Sequence, residues 1–298
     1  MNRQKCEVLS AKRWGVYHSI TLVAPEIAEE ARPGQFVQVA MPPGRDFLLR
    51  RPFSIHQASR TGGWAGTLEI AFTAVGPGTE WLTTVEAHDS LDVVGPLGRP
   101  FPLPRAPTNC LLIGGGYGAA PLYFLGQDLR AKGSRVDMIV GAKTQERVFK
   151  PVEAKRLSVS VSTTTEDGSL GERGNVTDVL PGMMARCESK VVYACGPNGM
   201  LRAVAEYCSE QGIPSQVAVE ELMACGMGVC WTCVVPVVHR DGRGWSYERS
   251  CYEGPVFSGA RVWWEKWLGG RSTPVQTPPE GFRLEEMTAE GVGTWPPG

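Results

Sequence analysis

Four cysteines near the C-terminal end constrain this chain more than any other feature. Three have the spacing C-x4-C-x2-C and the fourth follows after 17 residues; they are Cys225, Cys230, Cys233 and Cys251. This is the plant-type spacing at which four thiolates hold the two irons of a [2Fe–2S] cluster. Such a loop must wrap the cluster with backbone N–H groups directed at the sulfurs, and Gly226 and Gly228 permit that close approach. The spacing therefore predicts a [2Fe–2S] site.

A zinc ion is the alternative ligand, because four cysteines also make a structural zinc site. Zinc ribbons usually pair two C-x2-C knuckles, and this segment has only one, which favours the cluster. Cysteines without any ligand are the third alternative. The remaining cysteines are scattered, and for most of them we expect a buried apolar position; they are Cys6, Cys110, Cys187, Cys195 and Cys208.

Composition limits the classes of protein to which the chain can belong. It has 298 residues, 42% hydrophobic and 20% charged, which is enough for two domains, or for two and a small module. The formal net charge of −1 gives no reason to expect nucleic acid or an anionic membrane as a partner. The N-terminus lacks the apolar core of a secretory signal, and no apolar run approaches the roughly 20 residues that span a bilayer. We therefore predict a cytoplasmic protein, whose thiols stay reduced.

The first part of the chain, residues 1–104, contains short strand-like runs separated by turns. Residues 36–39 and 67–72 are rich in strand-forming side chains with partial alternation. Glycine and proline break the pattern at 32–34, 42–44, 76–78 and 95–98. Several short strands at this spacing predict an antiparallel β-barrel.

The pattern changes in residues 105–214, where strands alternate with helices. We predict strands at 109–113, 135–140, 157–163 and 190–194, and helices at 119–132 and 198–211. This alternation predicts an α/β domain with a parallel sheet covered on both faces. Residues 215–258 then form a small C-terminal module with the four cysteines. The tail 259–298 ends in a Pro/Gly-rich segment and is predicted to be partly disordered.

Two motifs in the barrel segment indicate a flavin site. In Arg51-Pro52-Phe53-Ser54, the arginine can pair with a diphosphate and the serine can hydrogen-bond the flavin or its phosphates. In the turn at 76–79, backbone N–H groups lie near the Thr79 hydroxyl and can cradle phosphate. Taken separately, an ordinary strand start and a simple turn are the alternatives.

Two strand-to-helix junctions indicate a nucleotide site. The first, IGGGYGAAP at 113–121, loosely fits G-x-G-x-x-A through Gly114, Gly116 and Ala119. The second, at 192–200, contains Cys195, Gly196 and Pro197. Open α/β sheets bind ligands at the carboxyl ends of their strands, where both junctions lie, although glycine is common in such turns without any ligand.

In order and content these pieces resemble the ferredoxin–NADP reductase superfamily. There, R-x-[YF]-S opens the flavin site, a glycine-rich loop and a C-G-P loop bracket the nicotinamide cofactor, and the barrel precedes the α/β domain. The cysteine module, CGMGVCWTC followed by SCYEGPVF, narrows the resemblance to the electron-transfer subunits of class 1B dihydroorotate dehydrogenases, over roughly residues 5–258. By position, the resemblance implies a flavin site made of Arg51, Pro52, Phe53, Ser54, Ala71, Phe72, Thr73, Gly78 and Thr79.

The resemblance also implies an activity, cofactors and a partner. In that family electrons from dihydroorotate, an intermediate of pyrimidine biosynthesis, reach FMN in a separate catalytic subunit. They pass singly through the [2Fe–2S] cluster to FAD and leave as hydride to NAD+ (or NADP+), in a heterotetramer with two copies of each subunit. No side chain of this chain is predicted to be catalytic, and Cys195, near the nicotinamide, is not predicted to be a nucleophile. The 17 residues between Cys233 and Cys251 and the tail after residue 258 depart from the family pattern.

Two other functions stay open at this point. The first is a related NAD(P)H diaphorase subunit of a hydrogenase or of an NADPH-dependent ferredoxin or glutamate-synthase-type complex. The second, from another class, is a non-enzymatic iron–sulfur redox sensor. NAD and NADP are not distinguished, because Lys143 and Arg147 either serve a 2′-phosphate or face solvent.

Overall fold

The computed structural model describes residues 1–42, 47–268 and 287–288. Its N-terminal part is the predicted antiparallel barrel, closed in the order β1-β2-β5-β4-β3-β6. Alternation of the side chains explains the barrel's core: in β6 every second residue points inward and is buried. The strands are β1 (Asn2–Trp14), β2 (Tyr17–Val23), β3 (Phe36–Val39), β4 (Arg51–Ser59), β5 (Thr67–Thr73) and β6 (Ser90–Leu97), with short helices α1 (Pro25–Glu30) and α2 (Pro77–Leu82).

The second part is the predicted α/β domain. Its seven-stranded sheet has the order β11-β10-β9-β8-β12-β13-β16, and all neighbours are parallel except β13 and β16. The central strands read as continuous apolar runs because helices cover both faces of the sheet. The elements are β7 (Leu103–Pro104), β8 (Asn109–Gly115), α3 (Ala120–Ala131), β9 (Arg135–Ala142), α4 (Pro151–Leu157), β10 (Val161–Thr165), β11 (Glu172–Arg173), α5 (Val176–Cys187), β12 (Val191–Cys195), α6 (Asn198–Glu210), β13 (Ser215–Ala218) and β16 (Val256–Ser258).

One predicted strand, at 157–163, begins too early. Leu157 is the last residue of α4, and β10 starts only at Val161. The Leu157 side chain packs on α3, where a Cβ at Gly126 would lie 2.6 Å from it. Arg130 Nη1 also donates to the Leu157 carbonyl oxygen at 2.9 Å, which fixes the helix end. This tertiary contact is not visible in the local sequence.

The cysteine module adds one hairpin and one sheet strand. The segment between Cys233 and Cys251 forms the antiparallel hairpin β14 (Val234–Val238) and β15 (Trp245–Arg249). Strand β16 follows and extends the α/β sheet through β13. Ser215–Ala218, which the sequence placed in the module, pairs with β12 inside that sheet. The module is therefore anchored to the nucleotide domain from both of its ends.

The first part of the predicted tail is folded against the protein. Helix α7 (Trp264–Leu268) buries Trp264 completely, and the indole Nε1 donates to the Gly259 carbonyl oxygen at 3.0 Å. Strand β17 (Met287–Thr288) pairs with β7. The other residues of the tail, and the disorder predicted for them, lie outside the described residues. Within the described part of the chain, no helix has the length and apolarity needed to cross a bilayer.

Candidate cofactor sites

A cavity of about 880 Å³ lies between the barrel and the α/β domain. This volume is within the roughly 300–1,000 Å³ that small-molecule and cofactor sites occupy. Strands β4 and β5 supply one wall, and the two strand-to-helix junctions supply the other. The residues of the predicted flavin site that line it are Arg51, Pro52, Phe53, Ser54, Ala71, Phe72, Thr73 and Thr79.

Arg51 and its neighbours are arranged for an anionic group. The guanidinium of Arg51 is held by the Leu49 carbonyl oxygen, to which Nη1 donates at 2.9 Å, and it keeps further donors for a phosphate. Gly78 stands behind it, since a Cβ there would lie 3.4 Å from Arg51 Nε and 3.0 Å from a methionine sulfur. Thr79 Oγ1 accepts from the Gly76 N–H at 3.1 Å and so closes the start of α2. The predicted flavin residues thus fit a diphosphate-bearing cofactor.

The two strand-to-helix junctions meet each other at the cavity. A Cβ at Gly118 would lie 2.7 Å from the Cys195 carbonyl oxygen, so the loops pack backbone against backbone and glycine is required. Gly116, Cys195, Gly196 and Pro197 line the cavity. Gly114 and Ala119 lie behind its wall, because a Cβ at Gly114 would be 2.5 Å from the Ala119 Cβ. Gly114 and Ala119 allow the strand and the helix to pack closely. A contact of either residue with nucleotide remains a prediction.

A polar pair that the sequence reasoning missed lies beside Cys195. The Tyr117 hydroxyl donates to Glu220 Oε1 at 2.5 Å, and both residues line the cavity. Burial, followed by the charge of Glu220, raises the pKa of Cys195 to about 12, so the thiol stays protonated and is not a nucleophile at neutral pH. Burial also raises the pKa of Tyr117, which therefore remains a donor. Glu220 lies two residues after the carboxyl end of β13, a strand that the sequence analysis did not predict, so no sequence signal pointed to it.

The cavity wall at the carboxyl ends of β9 and β10 carries both positively and negatively charged side chains. Lys143 and Arg147, noted in the sequence, line the cavity together with Glu166. Tyr17 donates its hydroxyl hydrogen to the Arg147 carbonyl oxygen at 2.5 Å and ties this wall to the barrel. The two cations therefore face the cavity rather than only solvent.

The four cysteines of the module converge. The Cys230 thiol interacts with Cys225, and the Cys251 thiol interacts with Cys233 and also with Cys225. Among the residues that the structure describes, no three His, Cys, Asp or Glu side chains share one ion position. The four cysteines therefore lie together in the module, as the spacing of a [2Fe–2S] site requires.

Donors around the sulfurs also fit a cluster. Backbone N–H groups approach them as expected: Gly228 N lies 3.2 Å from Cys251 Sγ and Val229 N lies 3.3 Å from Cys225 Sγ. The Thr232 hydroxyl donates to Cys230 Sγ at 3.2 Å and, with Cys225, lowers the pKa of the Cys230 thiol to about 6. Because thiolates are the metal-binding form, this favours ligation at Cys230, whereas burial raises the pKa of the Cys251 thiol to about 12. Two buried polar side chains next to the site, Gln38 and Ser250, have atoms without a hydrogen-bond partner in the described part of the chain.

Arg249 holds the cysteine loop from the hairpin. Its Nη1 donates to the Gly228 carbonyl oxygen at 2.6 Å, and its Nε donates to Glu253 Oε2 at 3.0 Å. The guanidinium lies between two rings, 4.5 Å from the Trp231 centroid and 4.7 Å from that of Tyr252. Arg249 is a second functional residue that the sequence reasoning missed, because its partners come together only when the hairpin folds.

Family models match the nucleotide domain and the cysteine module. The family described as the iron–sulfur cluster binding domain of dihydroorotate dehydrogenase B matches residues 220–263. The family described as the oxidoreductase NAD-binding domain matches residues 112–206. The first match contains all four cysteines, and the second contains both strand-to-helix junctions.

Relatives that match most of the chain give the same result. The dihydroorotate dehydrogenase B (NAD(+)) electron transfer subunit of Desulforamulus reducens is 38% identical over 242 residues, which are 81% of this chain and 90% of that protein. The subunit of the same name from Bacillus caldolyticus is also 38% identical, over 82% of this chain and 92% of its own length.

Solved structures show the same fold. A chain of the NADH-dependent reduced ferredoxin–NADP oxidoreductase, described for flavin-based electron bifurcation, superposes with a TM-score of 0.76 at 28% identity, over 89% of this chain and 92% of its own. A ferredoxin NADP+ reductase from Neisseria gonorrhoeae, solved with bound FAD and NADP, shares the fold at 15% identity and a TM-score of 0.56, over 71% and 92% of the two chains. On its sequence relatives, its cysteine module and its fold, the chain belongs to the family of electron transfer subunits of dihydroorotate dehydrogenase B.

Proposed function

We propose that this chain passes electrons from a dihydroorotate-oxidising partner to NAD+, through a [2Fe–2S] cluster and FAD that it holds itself. One observation carries the proposal: the cysteine site and the cavity share a wall. Phe36 lines the cavity and also packs in one buried cluster with Cys233 and Cys251. Met223 touches both sites in the same way. Two redox groups held on opposite sides of one side chain are close enough for electrons to move between them.

The protein's own part in this reaction is to hold the cofactors and to shield them from solvent. The flavin supplies the conversion between single electrons and hydride, because it can exchange either, whereas the cluster exchanges one electron at a time. Arg51 would hold the diphosphate of FAD, and the loops at Gly116 and Gly196, which line the same cavity, would hold NAD+. Tyr117, bonded to Glu220, and the protonated Cys195 thiol close the cavity where the nicotinamide reacts. None of these side chains needs to exchange a proton with the substrate.

The catalytic partner docks on the face that exposes the cysteine loop. Apolar side chains surround the loop there and are largely exposed; they are Leu222, Met227, Val229, Trp231 and Tyr252. Apolar and aromatic side chains of this kind are enriched in the cores of protein interfaces. The partner is proposed to carry FMN and to assemble with this chain as two copies of each. Docking here brings the partner's flavin nearest to the cluster.

The decisive experiment compares the chain alone with the chain plus its co-purifying subunit. Alone, it is expected to oxidise NADH with an artificial acceptor but not to oxidise dihydroorotate. With the partner it is expected to couple dihydroorotate oxidation to NAD+ reduction. Dihydroorotate turnover by the chain alone, or no turnover by the complex, would contradict the proposal. Iron and acid-labile sulfide, two of each per chain, are expected after anaerobic purification, whereas zinc would contradict the cluster.

The docking face has its own test. Val229→Lys places a charge at a position 76% exposed in the cysteine loop, and the matched control Val159→Lys does the same at a position 71% exposed in the α/β domain. We expect Val229→Lys to weaken binding of the partner and coupled turnover, with NADH–dye activity unchanged. Equal partner affinity in the two variants would place the interface elsewhere.

A diaphorase subunit of another complex is the second candidate. The structural likeness to a chain of the NADH-dependent reduced ferredoxin–NADP oxidoreductase favours it. A complex that reduces ferredoxin but leaves dihydroorotate unchanged would select this function. A redox sensor, the third alternative, would show no NADH oxidation with any acceptor.

Two further proposals concern organisation and location. We propose the division into a barrel of residues 1–104, a nucleotide domain of 105–214 and a cluster module of 215–258, with β13 shared between the last two. We also propose that the protein works in the cytoplasm. All nine cysteines are free of disulfides, which supports a reducing compartment.

A further inference from the structure

Gln38, on barrel strand β3, carries a buried amide that the described residues leave without hydrogen bonds. The side chain is 1% exposed, and neither Nε2 nor Oε1 has a hydrogen-bond partner among the residues that the structure describes. A buried polar group without a partner lowers the free energy of unfolding, because it gives up its hydrogen bonds to water. An apolar residue would avoid this cost at a position inside a barrel wall. The amide is therefore expected to meet a group that the protein itself does not supply.

The position of the Gln38 amide indicates which group it meets. Gln38 Nε2 lies against the cysteine loop, so close that a Cβ at Gly226 would be 2.2 Å from it. Gly226 follows Cys225 directly and has a φ of +69°, so only glycine fits the site without strain. The barrel thus reaches into the loop that surrounds the cluster, and it does so with a hydrogen-bond donor.

The neighbours of Gln38 in the sheet face the same site. Phe36 is two residues before it on β3, and residues two apart on a strand share a face. Val94 is its cross-strand partner on β6. Phe36 and Val94 both pack in the buried cluster that contains Cys233 and Cys251. The face of the barrel that carries Gln38 is therefore the face that covers the cysteine site.

We propose that the Gln38 amide is a positioning residue that donates a hydrogen bond to the sulfur atoms of the [2Fe–2S] site and raises the reduction potential of the cluster. The inference rests on the proposed cluster. Hydrogen bonds to cluster sulfurs stabilise the reduced state, because reduction adds negative charge to the sulfurs. The donor comes from the flavin barrel rather than from the cysteine module. The barrel thus adjusts the potential of the group from which its flavin receives electrons.

Gln38→Met tests this proposal, since methionine keeps the length of the side chain and removes the donor. We expect the purified variant to contain cluster and flavin, and its cluster midpoint potential, from an EPR-monitored titration, to shift to more negative values. Gln57→Met is the matched control. Gln57 lies on the neighbouring strand β4, and its amide is already bonded to Gln127 at 2.7 Å. Its cluster potential should equal that of the unmodified protein.

An unchanged potential in a fully loaded Gln38→Met protein would overturn the proposal. If that variant does not fold, a measurement on the unmodified protein tests the hydrogen bond instead. After selective labelling of glutamine side-chain amides with ¹⁵N, pulsed EPR of the reduced cluster should detect a weak ¹⁵N coupling. Absence of that coupling would also overturn it. The cluster itself is tested separately by iron and sulfide content. A loaded cluster with no Gln38 effect therefore contradicts this inference alone, whereas a protein without iron contradicts the proposed function.

Discussion

At the scale of single residues, two arginines have different roles in the two cofactor sites. Arg51 keeps free donors toward a cavity, whereas Arg249 uses its donors to hold the cysteine loop. The first was visible in the sequence because it stands in a short linear motif. The second was not, because its contacts join the loop, the hairpin and Tyr252 only in three dimensions.

Replacing Arg51 by alanine should weaken FAD binding. Charge-assisted bonds to a phosphate are worth about 1.5–3 kcal/mol, so we expect roughly a ten-fold or greater loss of affinity. Arg50→Ala is the control, because the Arg50 guanidinium is paired with Asp92 at 2.9 Å and does not line the cavity. Flavin content after dialysis measures the effect. If Arg51→Ala keeps all of its flavin, this motif does not bind the cofactor.

Replacing Arg249 by methionine should loosen the cysteine loop. The change removes the bond to the Gly228 carbonyl oxygen, the ion pair with Glu253 and the stacking between Trp231 and Tyr252. A loss on the order of 1–2 kcal/mol corresponds to cluster release that is roughly ten-fold faster. Bleaching of the cluster absorption in the presence of an iron chelator measures this rate. Arg243→Met, in the exposed turn of the same hairpin, should release the cluster at the original rate.

At the scale of elements, the sequence predicts those whose signals are local. The barrel strands, the parallel sheet and the cysteine loop follow from alternation, apolar runs and spacing. Strand β10 was misplaced because the end of α4 is fixed by Arg130, which is remote in the chain. Hairpin β14–β15 was interpreted only as an insertion. Helix α7 was missed because its tryptophans were read as part of a tail, and only the fold shows that Trp264 is buried.

Helix α7 is expected to contribute to the stability of the protein. Trp264 is fully buried and bonded to Gly259, so Trp264→Ala should lower the free energy of unfolding by about 3–5 kcal/mol. Trp64, which is 64% exposed, provides the control, and Trp64→Ala should change it by less than about 0.5 kcal/mol. Urea denaturation of the cofactor-loaded protein measures both. Equal stabilities would show that the helix is only loosely attached.

At the scale of the whole molecule, the barrel and the nucleotide domain meet at a buried histidine. His56, on β4, donates from Nδ1 to the Ala120 carbonyl oxygen at 2.7 Å, which leaves Nε2 to accept from Lys150 Nζ at 3.0 Å. This arrangement requires a neutral imidazole beside a charged lysine. Lys150 also reaches Glu69 at 3.5 Å and lies 4.6 Å from the ring centroid of Trp14. One cation thus joins barrel residues to the nucleotide domain.

The titration of His56 should make this contact sensitive to pH. Burial lowers the pKa of His56 first, and the charge of Lys150 lowers it further, whereas the charges of Glu69 and Glu153 oppose the shift. The remaining titratable neighbour is Tyr123 on α3, whose ring centroid lies 5.8 Å from that of His56. Because the folded state holds the imidazole neutral, the unfolded chain binds more protons below its pKa of about 6.5. The stabilisation is therefore complete above that pH and is lost as the pH falls below it.

We expect the urea concentration at the denaturation midpoint to decrease when the pH is lowered from 7.5 to 5.5. Part of this decrease should depend on His56. The loss from this one group is at most about 1.4 kcal/mol per pH unit below its unfolded pKa. His56→Gln should be less stable than the unmodified protein at pH 7.5, because it loses the bond to Ala120, but the difference should narrow at pH 5.5. The control is His88→Gln, at an exposed position paired with Glu7. Its difference in stability from the unmodified protein should not become smaller at pH 5.5. A difference between His56→Gln and the unmodified protein that is the same at both pH values would show that the imidazole does not titrate at this interface.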